Sequence, residues 1–271
     1  MTLTRWGAAV VSVFVLGGCR ATLPVAGGDT TRNIGRVYHY VRSNRDGSEP
    51  ESVSVFRLDR THLEVFKRRE RCTSAALVTA ELDSSLTFAR GLIGGRLQPE
   101  NRRQAVATLT WHPDSRRIVA AIDLPDFMAR DSVTVPDQPW HLYDFDLASL
   151  TVAYRADPRA DFSFGMPLIL VRESPSRFLQ NLGRADARFV GDEQHAGRPA
   201  LRFEVGGPAF GTRGGPLWFD RDQGHILEAA WGVPNHTEYH DFRLRLIGVN
   251  DGGALAWDSL LRAHFTSCPA R

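Results

Sequence analysis

From Arg36 onward, apolar and polar residues alternate with a period of two, and this pattern limits the fold more than any other feature of the chain. Leu201-Arg202-Phe203-Glu204-Val205 is the cleanest stretch; Tyr143-Asp144-Phe145-Asp146-Leu147 and Phe242-Arg243-Leu244-Arg245-Leu246 repeat it. Successive side chains of a strand point to opposite faces, so such runs make one face apolar and the other charged. A sheet with one wet face is built from antiparallel strands. Polar loops with glycine separate the runs, at Asp46-Gly47, at Gly197 and across Asp220 to Gly224, and each reads as a hairpin. The expected fold is mainly β, a single antiparallel and strongly curved sheet of about ten to twelve strands, with one or two short helices on its concave side. No repeat of solenoid period is present.

Two segments carry helical signals. ESPSRFLQNLGR has Ser174 as N-cap, Pro175 in the first turn and Gly183 as a stop, with Phe178, Leu179 and Leu182 on one face. Such a short helix needs its apolar face packed against the sheet. ALAWDSLLRAHF at 254–265 fits either period: Leu255, Trp257, Leu261 and Phe265 suit a strand, whereas Trp257, Leu260, Leu261 and His264 suit a helix.

The first nineteen residues have a different composition. Arg5 is the only charge before Cys19, and Trp6 to Gly18 is apolar or small. This is the pattern of an export signal, and thirteen residues fall short of the about 20 that cross a bilayer as a helix. Leu16-Gly17-Gly18-Cys19 resembles the lipobox of bacterial lipoproteins. That resemblance implies cleavage before Cys19 and a lipidated cysteine that carries more than one acyl chain, which anchors a protein stably to a membrane. Arg20 is not the aspartate associated with inner-membrane retention, so the outer membrane, facing the periplasm, is the expected location. The expected organisation is a signal peptide at 1–18, a lipidated cysteine and flexible linker at 19–34, and an antiparallel β domain at 35–271.

About 250 residues remain after cleavage, enough for one large β domain or two small ones. The formal charge of +2 provides no strongly basic field, and no nucleic-acid partner is expected. Lys67 is the only lysine. It lies in the basic run FKRRERC, which reads as a solvated strand end with anionic lipid as an alternative contact. In an exported chain the remaining Cys72 and Cys268 are expected to form a disulfide, two separate buried thiols being the alternative. The bond would close a loop of nearly 200 residues, worth at most roughly 5 kcal/mol by chain entropy.

No catalytic motif stands out. The chain has no Gly-x-Ser-x-Gly elbow, phosphate-binding loop or HExxH. His236 and His240 are four apart, which is about 13 Å on a strand, too far for one zinc with ligands at about 2 Å; no metal and no cofactor are expected. Asp144 and Asp146 are expected on a solvated strand face rather than as an acid–base pair.

The run from Phe189 to Ala229 resembles a known family. Val190-Gly191-Asp192-Glu193, Ala196-Gly197-Arg198-Pro199-Ala200, Leu201 to Val205, Leu217-Trp218-Phe219-Asp220 and Gly224-His225-Ile226-Leu227 are similar to the half-β-barrel envelope proteins related to the Lol-type lipoprotein carrier and to periplasmic regulators of envelope-stress sigma factors. The resemblance implies an open barrel whose concave apolar face holds an acyl chain, a lipid or a lipidated protein, with the 174–182 helix as a lid. Trp111, Trp140, Phe178, Leu182, Trp218 and Trp231 are the candidates to line that cavity; Trp257 either joins them or fills a core. The resulting expectation is a non-catalytic, membrane-tethered ligand binder. Alternatives are an interaction or scaffold module with a filled core, serving an envelope protein partner, and then a periplasmic hydrolase.

Overall fold

The computed structural model describes residues 31, 33–170 and 177–269. Eight strands follow one another as hairpins: β1 Val37–Ser43, β2 Glu51–Arg57, β3 His62–Arg68, β4 Ala75–Leu82, β5 Ala89–Leu97, β6 Arg103–His112, β7 Arg117–Leu124 and β8 Phe127–Thr134. The chain then crosses the sheet through residues 135–161, which include the one-turn helix α1 (Ala148–Val152). Six further strands return: β9 Phe162–Ile169, β10 Leu179–His195, β11 Arg198–Gly206, β12 Gly215–Asp220, β13 Ile226–Trp231 and β14 Phe242–Asn250. Helix α2 (Gly253–Phe265) is the last element.

All fourteen strands form one curled, unclosed sheet in the order β8-β7-β6-β5-β4-β3-β2-β1-β14-β13-β12-β11-β10-β9. Each half is a meander, and β1 pairs antiparallel with β14 to join the halves. Mainly β, antiparallel and strongly curved is therefore the observed class, with fourteen strands rather than ten to twelve.

The crossing segment fills the concave side. Trp140, Leu142, Tyr143, Phe145, Leu147 and Leu150 are buried in one core with inward residues from both meanders, among them Tyr38, Tyr40, Val53, Val65, Phe203, Leu217 and Phe219. Trp140 forms a bridge to Gly165 on β9, and a Cβ on Gly165 would meet the Asp137 carbonyl at 2.7 Å, so a side chain there would push the crossing segment away.

Helix α2 packs on the opposite face. Its Trp257 and Leu261 meet Val37, Phe56, Phe66, Ala75, Leu77 and Leu97, the alternate residues of β1 to β5. Strands buried on both faces lose the simple alternation, which is why Val55-Phe56 and Val65-Phe66 are adjacent apolar residues, the valines in the main core and the phenylalanines under α2. This outer apolar patch settles the period of 254–265: Trp257, Leu261 and His264 are buried at helical spacing, while Leu255 is 81% exposed.

Two expected elements are corrected. Residues 179–183 are strand, not helix. Leu179 pairs with Ile169, and Gly183, at φ 102°, sits in a register shift of β10 rather than at a helix stop; nine residues cannot hold a helix against ladder hydrogen bonds offered by β9. Ser174 and Pro175, the proposed cap, lie outside the described residues. Tyr143–Leu147 is not a strand. Tyr143–Phe145 is a 3-10 turn, and Asp146 and Leu147 adopt left-handed backbone before α1. Tyr143, Phe145, Asp146 and Leu147 are all buried, because the segment runs through the interior rather than along a wet face.

Candidate ligand cavity and its charged end

A cavity of about 460 Å³ lies between the concave wall of β4 to β8 and the crossing segment. Val78, Leu92, Leu109, Ile122, Phe127 and Phe178 form its apolar wall. Volumes of a few hundred Å³ with mostly apolar lining are those of small-molecule sites. The wall follows from the β pleat: Leu109 faces inward while Thr110, the next residue, is exposed.

At one end the wall becomes charged, with Arg42, Glu51, Lys67, Asp144, His236 and Glu238. Lys67 Nζ is 2.5 Å from Asp146 Oδ2 and also donates to the Asp144 carbonyl. Arg42 approaches Asp146 Oδ1 through Nε and Glu51 through Nη2, both at 3.4 Å. Its guanidinium lies 3.6 Å from the Tyr239 ring centroid. Asn235 Nδ2 donates to Asp146 Oδ1 at 2.8 Å and to the Tyr143 carbonyl at 3.1 Å.

The two aspartates, expected on a solvated face, are instead turned inward and unequal, Asp146 buried and Asp144 half-buried in the cavity wall. Burial pushes the Asp144 carboxyl up to about 6, only partly opposed by Lys67. Burial also acts against the Asp146 charge, but Lys67 and Arg42 beside it outweigh that and hold its pKa below the usual range. Burial raises Glu51 as well, against the pull of Lys67. Burial, with the charges of Lys67 and Arg42, lowers His236 to about 3. At neutral pH the cavity end thus presents a neutral imidazole and a carboxyl whose pKa burial has raised towards neutrality, beside two paired cations. It is equipped to hydrogen-bond a polar group whose tail occupies the apolar part.

Nothing lining the cavity is an activated nucleophile. Two Ser–His pairs are close among the described residues, Ser149 Oγ to His141 Nδ1 at 2.8 Å, which is buried, and Ser54 Oγ to His39 Nδ1 at 3.0 Å on the sheet, and neither lines the cavity. Among the described residues no group of three or more His, Cys, Asp or Glu side chains is placed to hold a metal ion. His236 lines the cavity, whereas His240 is exposed beside Asp241.

The six cavity candidates separate. Phe178 is in the wall. Leu182 is partly buried against the main core, and Trp111, Trp140 and Trp231 are buried in it. Trp111 and Trp140 pack on each other and on Phe88, with centroids 5.6 to 6.1 Å apart. Trp231 donates to the Tyr143 hydroxyl. Trp218 points to the other face of β12, where it stacks on His195 at 4.0 Å and donates to Glu193. Cys72 and Cys268 are joined by a disulfide with Cα atoms 5.6 Å apart. Cys19 lies outside the described residues. The charged end escaped sequence reasoning because its members stand up to 196 positions apart (Arg42 to Glu238); Lys67, the lone lysine of its chain, was the one compositional clue. It is not the solvated strand end expected of FKRRERC: Lys67 is buried, while Arg69 and Glu70 beyond it are exposed.

No family model and no curated protein matches the sequence. Among solved structures, the crystal structure of MucB is similar, with a TM-score of 0.30 and 16% identity over 85% of this chain. The match spans 58% of the length of that chain.

Proposed function

We propose that this chain is a lipid-anchored envelope protein that binds, without catalysis, a ligand with an apolar tail and a polar head. The observation that carries this reading is the 460 Å³ cavity, apolar along its wall and charged at one end. An acyl chain of a lipid or a lipidated protein is the ligand class with that division. Acylation of Cys19, with residues 20–34 as a spacer, would hold the body near a membrane, the outer one facing the periplasm; among the described residues no helix is long and apolar enough to cross a bilayer.

The test is native mass spectrometry of residues 27–271, exported without Cys19, with extraction and identification of bound lipid. The expected result is a defined acyl species near one-to-one stoichiometry, displaced by Val78→Phe in the wall. Bare protein that takes up no added fatty acid or lipid would overturn the reading. Metabolic labelling with palmitate tests the anchor: label is expected on the wild-type chain and absent from Cys19→Ser.

The filling of the rest of the curl supports a second reading, an interaction module for an envelope protein. Trp111, Trp140 and Trp231 occupy core that an open barrel would leave hollow. A stoichiometric partner retained by lipid-free protein would favour it.

A further inference from the structure

The charged end of the apolar cavity is not balanced. Two cations and three carboxylates line it, Arg42 and Lys67 against Glu51, Asp144 and Glu238. Both cations are committed. Lys67 holds Asp146 and the Asp144 main-chain carbonyl. Arg42 lies between Asp146 and Glu51, with the Tyr239 ring against its guanidinium. Its Nη1 has no acceptor but is closed off from solvent, and so from a ligand in the cavity. Glu238 pairs with Arg69 at 3.1 Å. His236 adds no charge, since burial keeps its imidazole neutral.

Asp144 is the carboxylate left over. Its Oδ1 accepts the Ile169 N–H at 3.1 Å, and among the described residues no side chain hydrogen-bonds or ion-pairs with its carboxyl. It stands where the apolar wall ends, with Leu142, Phe145 and Ile169 lining the same space. An ionised carboxyl has about four acceptor sites and no donor, and a buried charge is normally matched by a partner. Lacking one, Asp144 is pushed by burial up to about 6.

We infer that Asp144 selects the head of the ligand: the cavity takes an amphiphile whose head presents an N–H donor, an acyl amide or an amine, and refuses a carboxylate head. The inference rests on the lipid-binding reading of the same cavity and names what that ligand must carry. An N–H beside Asp144 supplies the partner that the fold withholds. A carboxylate head adds negative charge to an end already short of cations. A site built to hydrogen-bond an N–H also discriminates against an isostere without it.

The experiment is titration calorimetry on the full-length chain in phosphatidylcholine nanodiscs, with empty nanodiscs as the blank. N-methyldecanamide and methyl decanoate differ only in N–H against O; decylammonium and decanoate differ in the sign of the head. At pH 7.5 an N–H probe is expected to bind one-to-one, at least tenfold more tightly than the ester and decanoate. Binding of the amide assigns an N-acyl head; binding of decylammonium alone assigns an amine. Asp144→Asn, which keeps an acceptor for the Ile169 N–H, should cut that affinity at least tenfold and erase the advantage over the ester. In the wild-type chain, binding at pH 6 should release a proton, because an N–H donor favours the ionised carboxyl; two buffers of different ionisation enthalpy read it. Equal or tighter binding of the ester or decanoate would overturn the selection and leave the cavity reading standing. So would an unchanged preference in Asp144→Asn or, if that variant does not fold, the absence of proton release. Failure of all four probes to bind would overturn the cavity reading itself, and this inference with it.

Discussion

Lys67 is bonded to Asp146 across the interior of the curl, Nζ to Oδ2 at 2.5 Å, and both side chains are less than one tenth exposed. The pair links β3 to the crossing segment, and Arg42 from β1 shares the same carboxylate at 3.4 Å. Three separate parts of the chain therefore meet at one charge.

Breaking that pair from one side leaves a buried charge short of a partner. Lys67→Met is expected to cost about 3–5 kcal/mol of stability. Because Lys67→Met/Asp146→Leu removes both charges, it should recover part of the loss. Urea unfolding of the four proteins in the cycle measures the coupling, expected above about 1 kcal/mol; additive losses would show that the two groups act independently.

Stability should fall on acidification. Burial holds His141 and His236 near about 3, against an ordinary 6.5. Above 6.5 they are neutral in both states; below it the unfolded chain takes up protons that the fold refuses. Each then removes about 1.4 kcal/mol per pH unit. Asp144 opposes this, since its raised folded pKa favours the fold as pH falls from about 6 towards 3.8. The two imidazoles, joined by Asp146 whose folded pKa is lowered, outweigh the raised carboxyls of Asp144 and Glu51, so unfolding free energies at pH 7.5, 5.5 and 4.5 should decrease in that order. His236→Gln should flatten the trend and Asp144→Asn should steepen it.

The disulfide joins residues 196 positions apart and ties the end of α2 to the β3–β4 loop. Cys72→Ser/Cys268→Ser should lose up to about 5 kcal/mol. Trp257 stacks on Phe56 at 5.3 Å and donates to Glu64 at 2.5 Å, so part of the docking survives. Hydrogen exchange should accelerate first at 253–265, before the sheet.

The two ends of the sheet are tied by a side chain rather than a ladder. Asp131 on β8 accepts the N–H groups of Phe178 and Leu179, both at 2.9 Å, and Asn181 donates to the Thr134 carbonyl. Asp131→Ala should cost about 1–3 kcal/mol, the penalty of stranding buried donors. Amide exchange at Phe178 and Leu179 should speed up more than at Leu201 or Phe203; uniform acceleration would count against a local closure.

Where a stretch carried its own instruction, it was legible. Asp46-Gly47, Ala196-Gly197 and Gly224 turn the chain with positive φ at each glycine, and Leu201, Phe203 and Val205 face the core as their alternation requires. Alternation misled at Tyr143–Leu147, where the same pattern enters the interior and both parities are buried. It was overridden at Phe178–Gly183, where a helical stripe lost to pairing with β9 and to the Asp131 carboxylate.

Residues one or two positions apart contain enough to specify strands, hairpins and an antiparallel sheet, because the pleat and positive-φ turns are short-range geometry. The burial of Lys67, Asp146 and Arg155 is of another kind. A charge's environment depends on what other segments bring to it, here Arg42 and Asn235 around Asp146 and Phe219 against Arg155. Those partners stand 64 to 104 residues away along the chain. Which charges become a cavity end, and which carboxylate there is left without a cation, was settled only when the crossing segment folded into the curl.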